Sequence, residues 1–158
     1  MKKLTALILG LGLAAGATGL AQAQDNSKMV EDAIKARKAQ MQLYAFNLGL
    51  LGDMAKGAVA YDASAAAAAS NNLAMLASLD QSRLWPQGSD NMSVDNTRTL
   101  PDLWDNIDDA IAKGRATAEA ASAMAAVAGT GLEALQGQMG ALGGSCGACH
   151  KAYRAPAN

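Results

Sequence analysis

The 158-residue chain holds two cysteines and one histidine, and they fall together as Cys146-Gly147-Ala148-Cys149-His150. Thiols three residues apart lie on one face of a helical turn, where both can add to the two vinyl groups of one porphyrin. The imidazole that follows is then held where it can bind the iron. Three other uses of these residues are weaker. A Cys146–Cys149 disulfide closes a very short loop and stabilises little. A thioredoxin-like redox pair needs a strand–helix context. Zinc needs about four ligands, and the chain has no further Cys or His to complete the set. The expected cofactor is therefore haem c, one per chain, with Cys146 and Cys149 as thioether attachments and His150 as proximal iron ligand.

Residues 1–23 read as a secretory signal peptide. Lys2 and Lys3 precede an apolar run from Leu4 to Leu20, and Ala21-Gln22-Ala23 is an A-x-A cleavage site. Removing 23 of the 158 residues leaves a mature chain of 135, residues 24–158, enough for one domain with a core. Of the 13 basic residues 11 then remain against 14 acidic ones, a net of −3. With two Trp, three Tyr, one Phe and no basic stripe, nothing points to nucleic acid. No other run is long and apolar enough for membrane insertion after the signal is removed. The expected location is the periplasm, where thiols are oxidised or otherwise committed.

The elements that must position the cluster read as helices. Ala, Leu, Met, Lys and Gln dominate, and alternating β-branched runs are missing. A first helix is expected over about Ser27–Lys56, with Val30, Ile34, Arg37, Met41, Tyr44, Leu48, Leu51 and Ala55 stepping by four and three. A second follows Tyr61-Asp62, with Asp62 as N-cap, and reaches about Ser82; Ala66, Ala69, Leu73, Leu76 and Leu79 form its stripe. Leu84 to Leu100 is a long loop rich in turn formers. A third helix begins near Pro101, with Leu103, Ile107, Ala110, Gly114, Ala121 and Met124 inward. A fourth starts at Thr130, where Thr130-x-x-Glu133 reads as a capping box. Its stripe is Leu132, Leu135, Met139, Leu142, Cys146, Cys149 and Tyr153. The same helix contains Gly137, Gly140, Gly143, Gly144 and Gly147, each costing on the order of 1 kcal/mol. A large flat group lying against it is one reason to keep them. The fold class is all-α, an antiparallel up-down-up-down four-helix bundle.

Two residues of the first helix stand out for the far side of the iron. Arg37 interrupts an apolar stripe. It either snorkels its charge past the core edge or meets a buried anion, and haem carries two propionates suited to its planar fork. Met41, one turn further on, is one of the seven methionines left once Met1 is removed. It is either core filler or the residue over the distal haem face, bonded to the iron or merely adjacent. Met139 shares a helix with His150 and cannot easily reach the opposite face.

The chain resembles the class II c-type cytochromes, and within them cytochrome c′. The resemblance spans essentially the whole mature chain. It rests on C-x-x-C-H followed by Lys151-Ala152-Tyr153-Arg154, on Arg37-x-x-x-Met41, and on Lys56-Gly57 and Tyr61-Asp62. Trp85-Pro86-x-Gly88-Ser89 leading to Pro101-Asp102-Leu103-Trp104 completes it. It implies that Arg37 lies near the haem and Met41 over its distal face. It also implies an iron that is five-coordinate and binds NO or CO while cycling between ferric and ferrous. In low-spin relatives a Met at the position of Met41 is the sixth ligand, and the protein carries electrons. The resemblance implies a homodimer too, and assigns no haem contact to the Leu84–Leu100 loop. A redox partner protein is not specified. A haem-free bundle acting as an interaction module is the remaining alternative. No enzyme activity is expected: there is no paired acid and base, activated nucleophile or phosphate loop.

Overall fold

The computed structural model describes residues 14–157. Most of the expected leader therefore lies outside the described residues. Among the described residues five α-helices follow one another: α1 Ala14–Ala55, α2 Ala63–Ala77, α3 Asp102–Asp105, α4 Ile107–Val127 and α5 Leu132–Tyr153. A single 3-10 turn, Ser82–Leu84, stands between α2 and α3. The four long helices close a ring: α1 packs on α2, α2 on α4, α4 on α5, and α5 back on α1. This is the expected all-α four-helix bundle. Among the described residues the sole β-pairing is an isolated antiparallel bridge, Thr99–Arg154. No helix among them is long and apolar enough to cross a membrane.

The core is the meeting of the 3–4 stripes. Leu51 and Met54 of α1, Ala66, Ala69 and Leu73 of α2, Ala121 and Met124 of α4, and Leu135 and Leu142 of α5 are all buried together. Small residues bring the backbones close: a Cβ on Gly129 would stand 3.0 Å from Ala67 Cβ and 3.2 Å from Ala63 O. Five stripe residues face outward instead of inward. Met41 and Gly114 lie on exposed flanks of α1 and α4, Leu79 lies beyond the end of α2, and Ile107 and Leu132 start their helices.

Four helix ends differ from the sequence expectation, and side-chain chemistry explains three of them. α1 begins earlier than Ser27, and its helix continues back to Ala14. The N-cap of α2 is as expected, with Asp62 Oδ1 accepting from Ala65 N at 2.7 Å. Its end comes at Ala77, short of Ser82. Ser78 Oγ donates to Met75 O at 2.8 Å and Asp80 Oδ1 accepts from Ser82 N at 2.9 Å, local bonds that compete with the helix ladder. The expected third helix is two, broken at Asn106 (φ −126°, ψ 44°), whose Nδ2 donates to Asp102 O at 2.9 Å. The capping box does not form. Gly131 is the N-cap of α5, and Thr130 Oγ1 turns back to donate to Val127 O at 2.8 Å.

Candidate haem site

α1 and α5 lie side by side and antiparallel. They are joined where Gln136 Nε2 donates to Ala55 O at 2.8 Å, and a Cβ on Gly52 would meet Met139 Cε at 3.7 Å. Further along, Tyr44 of α1 lies close enough to Cys146 of α5 to feel its charge. Counting from the Ala55–Gln136 joint, Met41 and His150 are each 14 residues away, a rise of about 21 Å along either helix. The two sequence-selected residues therefore stand level on neighbouring helices.

The C-x-x-C-H cluster occupies the last turns of α5. Cys146 and Cys149 are free thiols, half-buried, and His150 is half-buried as well. Burial pushes the Cys149 thiol up, with Lys113 opposing. Burial, then the charges of Arg154 and Arg98, push the His150 imidazole below its ordinary value. That favours the neutral ring, the form a metal accepts. Beside His150 and Gly147 is a recess of about 360 Å³, rimmed by Arg98, Lys151 and Arg154. Tyr44 is pushed up to about 12, first by burial and then by Cys146. Tyr153, buried at the end of the same stripe, donates to Asp109, which also accepts from Lys113 at 2.8 Å.

These residues fit a haem. Gly137, Gly140, Gly143, Gly144 and Gly147 would each direct a Cβ into open space, so one flank of α5 is free for a flat group. The donor set is two thiols and an imidazole on consecutive turns, which suits covalent attachment and axial ligation together. Among the described residues no three His, Cys, Asp or Glu side chains gather as a bare metal site.

Arg37 takes an unexpected place. It does not snorkel: it is 3% exposed. Nη1 donates to Leu84 O at 3.3 Å and to Ser89 Oγ at 2.7 Å. Nη2 donates to Ser89 O and to Thr97 Oγ1, the latter at 2.7 Å. The guanidinium also stacks 4.9 Å from the Trp85 ring centroid. Four of its five N–H groups are thus directed at the 84–100 segment, leaving Nε–H. Burial pulls its pKa down to about 10. Met41 is 36% exposed on the flank of α1.

Sequence reasoning assigned the 84–100 loop no haem contact, placed Tyr44 only in the first-helix stripe and Ser89 only in a motif, and did not single out Thr97 or Asp109. Trp85 and Ser89 stood in a recognisable motif; Thr97 and Asp109 carried no sequence signal.

Comparison with known proteins now bears on these residues. The family described as Cytochrome C′ matches residues 32–154. Cytochrome c-554 of Cereibacter sphaeroides is 42% identical over 124 residues, 78% of this chain and 78% of that protein. The solved cytochrome c′ from Rhodobacter Spheriodes is 36% identical with a TM-score of 0.79, covering 81% of this chain and 98% of that one. A second solved cytochrome c′, described as having an unusual ligand-controlled dimer dissociation, is 29% identical with a TM-score of 0.74, over 80% and 97%.

Proposed function

The chain belongs to the cytochrome c′ family, whose cofactor is haem c, and we propose that it is an exported, periplasmic member with a five-coordinate iron that binds NO or CO and carries electrons. In this reading cleavage after Ala23 releases residues 24–158. Cys146 and Cys149 hold the haem, and His150 is the proximal ligand. When bound, the haem supplies an iron that changes valence and takes up a diatomic ligand.

What carries the proposal is the Cys146-Cys149-His150 cluster on the last turns of α5, beside a flank of glycines whose Cβ positions are open. Met41, at the same count of residues from the Ala55–Gln136 joint on the neighbouring α1, is the residue this reading puts on the distal side. The likeness to cytochrome c′ chains supports an open sixth position over the His150–Met41 six-coordinate carrier. Arg37 retains one N–H, on Nε, for a haem propionate while its other four hold the loop.

A homodimer belongs to the same reading. Gln40 Nε2 donates to Leu76 O at 3.0 Å and Asn72 Nδ2 to Asn47 Oδ1 at 3.1 Å, which marks the α1–α2 seam. On its outer side Leu43, Phe46, Met75 and Leu79 are at least half exposed, an apolar strip suited to a second copy.

Optical spectra of the ferric, ferrous and CO-treated protein test the proposal. A high-spin spectrum that changes on adding CO is expected. A low-spin spectrum indifferent to CO, converted to high-spin by Met41→Ala, would establish the six-coordinate reading instead. Colourless protein with the mass of the bare processed polypeptide, after maturation with the haem-attachment machinery present, would end both.

A further inference from the structure

We propose that Arg37 is a positioning residue for His150, acting through the 84–100 segment as a strap between α1 and the last turn of α5. The proposal rests on His150 being the haem ligand, as above. The strap can be followed bond by bond. Arg37 Nη2 donates to Thr97 Oγ1 at 2.7 Å. The same oxygen accepts from Thr99 N and donates to Thr99 Oγ1, both at 3.2 Å. Thr99 pairs with Arg154 in the isolated bridge. On either side Leu100 N donates to Tyr153 O at 3.0 Å, and Ala155 N to Arg98 O at 2.8 Å. Arg98 closes the clasp, its Nε and Nη2 both donating to Ala155 O, at 2.9 and 2.6 Å. Arg154 N then donates to His150 O at 3.1 Å.

Both ends of the strap are anchored. Ser89, wholly buried, accepts from Arg37 and donates to Pro86 O at 2.7 Å. Tyr153 is fixed from α4 by its bond to Asp109. A contiguous hydrogen-bonded network of this kind is the physical form that coupling between two sides of a site takes. The residue one turn before Met41 thus reaches the backbone that carries the proximal ligand. The connection runs around the cofactor site and needs no contact with the cofactor.

Hydrogen exchange on the haem-loaded protein tests this, with Thr97→Val and Arg37→Gln as perturbations. Thr97→Val removes no formal charge, so its effect is not that of a lost guanidinium. Losing one such bond should speed exchange at the amides of Leu100, Arg154 and Ala155 roughly two- to tenfold, with the α2 amides unchanged. A shift of the iron reduction potential in Thr97→Val, in the same direction as in Arg37→Gln, is also expected. Faster exchange confined to residues 84–99 in Thr97→Val, with 150–155 as in the parent, would overturn the proposal. If Arg37→Gln does not fold, Thr97→Val alone decides. The exchange readout is independent of iron coordination. A low-spin spectrum would therefore sink the function proposed above while leaving this one standing.

Discussion

Alanine placed at the α5 glycines, one at a time, separates the bare helix from the helix that carries a haem. Gly140, Gly143, Gly144 and Gly147 lie within eight residues of α5, and a Cβ on any of them meets no heavy atom within 4 Å. In the haem-free chain nothing opposes the gain in helix propensity, about 0.8–1 kcal/mol for each substitution. With a porphyrin against the helix, a methyl group at a covered position overpacks the contact and costs about 1–3 kcal/mol. The net sign at that position reverses. Urea unfolding followed by far-UV circular dichroism reads the difference, because a slope of about 1–3 kcal/mol per molar turns 1 kcal/mol into a midpoint shift of about 0.3–1 M. The comparison needs each variant in two forms, matured with haem and made without the attachment machinery. At least one glycine should raise the midpoint in the bare chain and lower it in the loaded one. If all four raise it equally in both, nothing flat lies on this flank and the account of the glycines is wrong.

Gly129→Ala should behave oppositely in both forms: its Cβ would meet Ala67 Cβ at 3.0 Å and the backbone oxygen of Ala63 at 3.2 Å, so a loss of about 1–3 kcal/mol is expected in the same urea assay. Tyr44 and Tyr153 are both held up to about 12, Tyr44 chiefly by burial and Tyr153 chiefly by its bond to Asp109. A raised folded-state value stabilises the fold fully below the ordinary tyrosine value of 10.0 and is lost as pH climbs toward 12. Alkaline unfolding should therefore steepen between pH 10 and 12, and Tyr153→Phe should flatten it; titration of both phenols near 10 in the folded protein, read at 295 nm, would refute this. Phe46→Glu sets a charge on the apolar strip beside the α1–α2 seam and should shift the protein toward monomer in analytical ultracentrifugation, with an unchanged haem spectrum.

What could be read from the sequence, and what could not, divides along one physical line. The stripes of Ile34, Leu51, Leu73, Leu135 and Leu142 were legible because burial of a helix face is periodic, and all five are buried. The Cys–His cluster was legible because thioether spacing is written into consecutive residues. The helix ends at Ser78 and Asn106 were not: Ser78 Oγ takes Met75 O, which a continuing ladder would use, and Asn106 leaves the helical φ/ψ region while its N–H and Nδ2 share Asp102 O. Thr130 shows how finely balanced such choices are: its hydroxyl turned back to Val127 and left Gly131 at the N-cap. Arg37 is the instructive case. A guanidinium 3% exposed needs acceptors, and carbonyls inside a helix are already bonded to the amide four residues on. Free acceptors exist where the chain is irregular, so the buried cation draws in the loop, taking Leu84 O, Ser89 O and two hydroxyls 47 to 60 residues away. The sequence could say that Arg37 must be satisfied. Which oxygens satisfy it depends on how a segment without periodicity folds back over the bundle, and that segment is also the one clasped to the turn bearing His150.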